Sequence, residues 1–268
     1  MDSPEEVSGF HQAGATSLLP IYHFNALAID ALAPRNACVL DLGSGSGQFL
    51  SYLSRHRPDL QITGVDLSSE MTRVGRASLA RMGLSDRVKL LDGDMRDFAR
   101  TLQGRIDIVT SVFSLHHLLT QADLIACLRE IDRAVHANDA SLWIFDFVRP
   151  RQIKTAHEVP LLFTPTASPA FRDATRDSLR AAWGFTELKA ALGSSVSLKL
   201  KAQRSRLLPL YQVHWYDPPR PYTMELLWQQ ADDLLRQTRR EAALFARLFR
   251  SAPHYERLRT DAAARRAA

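Results

Sequence analysis

Three glycines at alternate positions, Gly43, Gly45 and Gly47, stand between an apolar run and a stretch of helical spacing, with Asp41 two residues before the first. A glycine loop ahead of a helix lets the backbone pass close to a ligand and offers it unpaired N–H groups. The spacing then selects among ligands. A dinucleotide fingerprint needs its third glycine three residues after the second, where Gln48 stands, and no Gly-Lys-Ser or Gly-Lys-Thr follows as a phosphate-cradling loop requires. A carboxylate at Asp41 repels a pyrophosphate and attracts a cation. Asp66, in Gly64-Val65-Asp66-Leu67, stands where an acid accepts hydrogen bonds from both hydroxyls of a ribose. Its structural alternative is to cap the next helix, a task Ser68 or Ser69 would serve equally.

A second group of reactive side chains follows the run Ile106 to Val112, namely His116 and His117. A histidine near neutral pKa is a natural proton acceptor for a hydroxyl or protonated amine, so the pair are the candidates for a catalytic base; bonding their own loop is the other role open to them. Tyr22, His23 and Phe24 near the start, and Trp183 and Phe185 later, are aromatics suited to a lid over a small, largely apolar acceptor, with core packing as the alternative for each. No metal is expected: Asp146 lacks a following Asp-Asn style partner, and Cys38 and Cys127 have no paired spacing.

These residues need a frame. Ala37 to Leu42, Gln61 to Val65, Val88 to Leu91, Ile106 to Val112 and Leu142 to Val148 are short apolar or β-branched runs, separated by helical spacing around 46–56, 69–82 and 121–135. Alternating strands and helices predict an α/β fold, a doubly wound and mostly parallel sheet covered on both faces, with ligands at the carboxyl ends of the strands. Ser17 to Leu32 reads as an N-terminal helix. After Pro150, residues 158–169 hold three prolines and read as a surface loop, and Phe171 to Trp183 and Thr186 to Leu192 as helices, with Thr186 as an N-cap. Val196, Leu198 and Leu200 alternate with polar residues as a strand would, and Leu208 to Trp215 is its antiparallel partner. Asp217-Pro218-Pro219-Arg220-Pro221 marks a boundary before a C-terminal helical extension. The expected division is therefore 1–34 as an N-terminal helical or lid segment, 35–216 as the binding domain, and 217–268 as the extension.

Taken in order, Val39-Leu40-Asp41-Leu42-Gly43-Ser44-Gly45-Ser46-Gly47, Gly64-Val65-Asp66-Leu67-Ser68, Asp92-Gly93-Asp94-Met95 and Asp107 through Leu118 resemble the class I S-adenosylmethionine-dependent methyltransferases, in the subgroup similar to the ubiquinone and menaquinone biosynthesis enzymes. The resemblance implies a Rossmann-like sheet and S-adenosylmethionine as cofactor. It implies that Asp41, Gly43, Ser44, Gly45 and Gly47 hold the methionine part, Asp66 and Leu67 the ribose side, Asp94 and the Met95 backbone the adenine edge, and that Ser111 lines the cofactor. Tyr22, His117 and Trp183 would face substrate. The absence of Asn-Pro-Pro-Tyr or Asp-Pro-Pro-Tyr after the fourth strand disfavours methylation of the exocyclic amines of nucleic-acid bases.

The chain has 268 residues, 46% of them apolar, enough for a sizeable core, and no stretch reaches the roughly 18 to 20 apolar residues of a membrane span. The acidic start does not resemble a signal peptide, so a cytoplasmic location is expected. Net charge is +5, with many of the arginines toward the C-terminus, from Arg236 to Arg266, but diluted in the same tail by acids such as Asp232, Glu241 and Glu256. That tail suits a solvated helix face, or association into a homo-oligomer, better than a nucleic-acid grip. A small-molecule methyltransferase is the leading expectation. An RNA or protein methyltransferase that uses the arginine-rich tail, and a non-catalytic cofactor-binding protein, are the two alternatives.

Overall fold

The computed structural model describes residues 18–218, apart from 101, 103, 165–166 and 206–208. The expected C-terminal extension, with its arginines and Tyr222, lies outside the described residues from 219 on, as do residues 1–17.

Strands β1 (Cys38–Leu42), β2 (Gln61–Asp66), β3 (Val88–Asp92), β4 (Ile108–Val112) and β5 (Ser141–Phe147) are parallel, and β7 (Tyr211–Tyr216) runs antiparallel between β5 and β6 (Lys201–Arg204). The order is β3-β2-β1-β4-β5-β7-β6, so the direction of winding reverses between β1 and β4. Side chains alternate across the sheet. Val39, Ile62, Ile108, Trp143, Phe145 and Trp215 face a core shared with α1 (Leu19–Leu32), α2 (Gln48–His56) and Leu79 of α3 (Ser69–Arg81). Leu40, Leu42, Val65, Val109, Leu142 and Ile144 face α4 (Gln121–Asn138) and the helix Phe185–Ser195, α7. Both faces are therefore covered, as the near-continuous apolar runs of a parallel sheet demand.

Two polar fastenings lock α1 onto this sheet. Trp143 donates its buried indole N–H to Asn25 Oδ1 at 2.7 Å. The buried Arg57 guanidinium reaches Asp30 at 2.8 Å, Asp59 at 2.7 Å and the Pro34 carbonyl at 3.0 Å, tying the end of α1 to the lead-in of β2.

Three local expectations need correction. Most of the expected loop 158–169 is helical: α5 (Ile153–Phe163) carries Pro160 close to its end, and α6 (Pro169–Ala181) starts on Pro169, at N1, where a missing N–H costs nothing. Ser168 caps α6 by accepting from Phe171 N at 3.2 Å. The N-cap of α7 is Gly184 rather than Thr186, and Glu187 Oε2 reaches back to the Gly184 N–H at 2.9 Å. Finally, the alternation at 196–200 is no ladder strand. Val196, Leu198 and Leu200 pack into the core under α4 and α7, and pairing with β7 starts only at Lys201, opposite Trp215.

Candidate active site

At the carboxyl end of β1 the chain passes through three left-handed glycines, Gly43 at φ 72°, Gly45 at 54° and Gly47 at 68°, before α2 begins. The first is required twice over. A Cβ on Gly43 would lie 2.3 Å from Ser114 Cβ, whereas one on Gly45 would meet nothing within 4 Å. Gly45 is therefore required only by its backbone conformation. The loop is pinned from β2, because the Gly43 and Ser44 N–H groups both donate to the Val65 carbonyl, at 2.8 and 3.1 Å.

Asp66 closes β2 and does two things at once. One oxygen accepts from Gly45 N at 2.6 Å and the other from Ser68 N at 2.9 Å, so it braces the glycine loop and the entry to α3, while Ser68 itself caps that helix. Burial raises the Asp66 carboxyl above its ordinary value, partly countered by those two N–H groups. Asp41 is 2% exposed and accepts from Thr110 Oγ1 of β4 at 2.6 Å. Burial, reinforced by Asp66 and opposed by the Thr110 hydroxyl, pushes its carboxyl up to about 7. Asp94, beyond β3, is clasped by Arg96 at 2.5 Å, and the same guanidinium reaches Asp123 at the start of α4.

These groups share one cavity of about 560 Å³. Asp41, Gly43, Ser44, Gly45, Asp66, Leu67, Asp94 and Met95 all line it. So do Tyr22 and His117, and several residues the sequence did not single out: Leu18, Phe49, Arg96, Val112, Phe113, Leu119 and Asp123. Of these, Arg96 was legible as a cation two residues from Asp94; Phe113 was not, because its φ of 58° is set by its surroundings. Gly47 stands off the wall and starts α2.

Besides Gly47, three expected site residues are placed elsewhere. Ser111 is buried and bonds Ser114 Oγ at 2.5 Å, and Ser114 donates on to the Leu42 carbonyl at 2.6 Å, so Ser111 supports the residue that fills the space under Gly43. Trp183 donates its indole N–H to the Leu115 carbonyl at 3.1 Å, bracing the turn after β4 from behind. His116 is 2% exposed, its Nδ1 bonding Asp146 Oδ1 at 2.7 Å and its main-chain N–H donating to Asp146 Oδ2 at 3.1 Å. A carboxylate only accepts, so Nδ1 carries the proton. The His116 ring lies 4.2 Å from that of His117. His117 is solvent-accessible at the cavity wall yet closely surrounded by protein. That crowding, with His116 beside it, lowers its pKa to about 4.

The residues present fit S-adenosylmethionine. Ser44 Oγ is buried on the glycine loop without a hydrogen-bond partner among the described residues, and the strand-end carboxylates of Asp41 and Asp66 suit a cation and a ribose. Among the described residues there is no group of three or more His, Cys, Asp or Glu that could hold a metal ion, and no helix long and apolar enough to cross a membrane.

Residues 39–138 match the family described as Methyltransferase domain. The demethylmenaquinone methyltransferase of Porphyromonas gingivalis is 32% identical over 123 residues, 46% of this chain and 47% of that protein. A release factor glutamine methyltransferase of Thermosynechococcus vestitus is 38% identical over 72 residues, 27% of this chain and 25% of that one. Each of these matches spans less than half of the relative's length. In fold, the chain is similar to a SAM-dependent methyltransferase from Aquifex aeolicus, with TM-score 0.54 at 16% identity, covering 80% of this chain and 98% of that one. It is also similar to the plantazolicin methyltransferase BpumL solved with SAH, with TM-score 0.59 at 14% identity, covering 81% and 91%.

Proposed function

We propose that this chain, which carries a class I S-adenosylmethionine-dependent methyltransferase domain, transfers a methyl group to a small-molecule acceptor. The observation that carries this reading is a cavity at the carboxyl ends of β1, β2 and β4, which joins a cation-suited glycine loop to an apolar wall. When bound, S-adenosylmethionine supplies a methyl group already activated by its sulfonium charge. The chain's own task is then alignment and exclusion of water.

In this reading the left-handed loop and Asp41 hold the methionine end, with Ser44 Oγ finding there the partner it otherwise lacks. Asp66, its oxygens still accepting from Gly45 and Ser68, offers its remaining lone pairs to the ribose, with Leu67 beside it, and Asp94 with Met95 borders the adenine. His117 and Tyr22 face the acceptor. His116 acts through His117: Asp146 fixes its ring, and its ring supports its neighbour's. Two unpaired cysteines, Cys38 and Cys127, fit a reducing compartment such as the cytoplasm.

Calorimetric titration with S-adenosylmethionine and its demethylated product, followed by incubation of the protein with methyl-labelled cofactor and a metabolite extract with and without RNase, tests the reading. Saturable binding and an RNase-resistant labelled small molecule are expected. No affinity for either ligand, or label only in RNA or protein, refutes it.

A further inference from the structure

The acceptor end of the cavity is built differently from the cofactor end. In the methyltransferase reading it is formed by Val112 at the end of β4, by Phe113 and His117 beyond it, and by Leu18 and Tyr22 at the start of α1, and none of these carries a formal charge at neutral pH. Four carboxylates, Asp41, Asp66, Asp94 and Asp123, line the cavity among the described residues, against one guanidinium, Arg96. That guanidinium is already engaged by Asp94 and Asp123. An anion entering the cavity therefore meets repulsion without a cation left to receive it.

Phe113 is held there at a cost. Its φ of 58° is a left-handed conformation that disfavours a bulky side chain by roughly 1–2 kcal/mol. The surroundings enforce it: its N–H donates to the Phe145 carbonyl at 2.8 Å, and its ring stacks on Phe147 at 4.4 Å and meets Phe145 edge-on at 4.9 Å. Strain kept in place by packing on a cavity wall points to a use for the ring that the strain presents.

We propose that the acceptor is an uncharged, ring-bearing, largely apolar molecule, packed on Phe113 with its reacting hydroxyl or amine hydrogen-bonded by His117, and that acidic acceptors are excluded. This rests on the methyltransferase reading above. A neutral His117 accepts a hydrogen bond from such a group without adding a second positive charge beside the sulfonium. The Tyr22 hydroxyl, kept protonated by burial and by Asp41, contributes no charge either.

The test uses the full chain saturated with the demethylated cofactor and two fluorescent probes of one shape: 2-naphthol and 2-naphthoate. 2-Naphthol is expected to bind at least about tenfold more tightly than 2-naphthoate. His117→Phe, which keeps the ring and removes the accepting nitrogen, and Phe113→Leu, which keeps apolar bulk and removes the aromatic face, should each weaken 2-naphthol about tenfold while cofactor affinity stays within about twofold. His117→Gln, which restores an acceptor, should recover part of the loss. Equal or tighter binding of 2-naphthoate, absence of 2-naphthol binding to cofactor-saturated protein, or insensitivity to both substitutions overturns the proposal. If the demethylated cofactor itself does not bind, it is the methyltransferase reading that falls, and the two failures are thereby told apart.

Discussion

Asp41 offers a quantitative test of the cofactor assignment. Its carboxyl is buried behind the glycine loop and titrates near 7 in the ligand-free protein, against an ordinary value of 3.8. About nine-tenths of the molecules then carry a proton on it at pH 6, and about one-tenth at pH 8. A cationic ligand binds the ionised form, so binding must release that proton. If the bound cation returns the carboxyl to its ordinary range, the dissociation constant for S-adenosylmethionine falls about tenfold between pH 6 and pH 8, or about 1.4 kcal/mol. Calorimetry in two buffers of different ionisation enthalpy reads both quantities, with about 0.9 proton released per ligand at pH 6 and about 0.1 at pH 8. Asp41→Asn keeps the size of the side chain and an acceptor for Thr110, and should bind weakly with no pH dependence. Affinities equal within twofold at the two pH values, or an Asn variant that keeps the slope, would refute the reasoning.

The same carboxyl makes the ligand-free protein lose stability as pH rises. The folded state holds the proton more tightly than the unfolded chain, so the loss starts near pH 4, is complete above about pH 7, and is bounded at about 4 kcal/mol; urea unfolding of wild type and Asp41→Asn across this window measures it. Gly43→Ala, which adds a collision with Ser114 to the left-handed strain, should cost about 2–5 kcal/mol, whereas Gly45→Ala should cost only about 1–2 kcal/mol, a difference visible in thermal melts. Asn25→Leu leaves the Trp143 indole N–H buried without its acceptor and should cost about 1–3 kcal/mol by chemical denaturation. Asp66→Ala should weaken the demethylated cofactor at least about tenfold by calorimetry, since it removes an expected ribose contact and the brace on Gly45 together.

Much of the frame was legible in the residues. Runs such as Val39 to Leu42 and Leu142 to Phe145, buried on both faces, announce parallel strands, and the antiparallel strand near the C-terminal end stands where Leu208 to Trp215 suggested, as Tyr211–Tyr216. The glycine loop was readable because its conformation excludes most side chains. What the sequence withheld depends on tertiary partners. Pro160 and Pro169 read as loop markers, yet one is tolerated late in α5 and the other starts α6. Ser111 and Trp183 sit in the right order along the chain, but the hydroxyl of Ser114 and the carbonyl of Leu115 claim them behind the wall. Phe113 takes its left-handed backbone from Phe145 and Phe147, more than thirty residues further on, so no local pattern reveals it.

The placement of β7 has a consequence for how the chain is made. β6 precedes β7 in the sequence, yet within the described sheet it hydrogen-bonds to β7 alone, which in turn is zipped along β5 from Phe147–Tyr211 to Leu142–Tyr216. During synthesis the outer edge of β5 stays open, and β6 has no template, until residue 216 has left the ribosome. A chain cut before 211 therefore loses two strands rather than one, exposing a β5 edge of Trp143 and Phe145 to whatever strand arrives first.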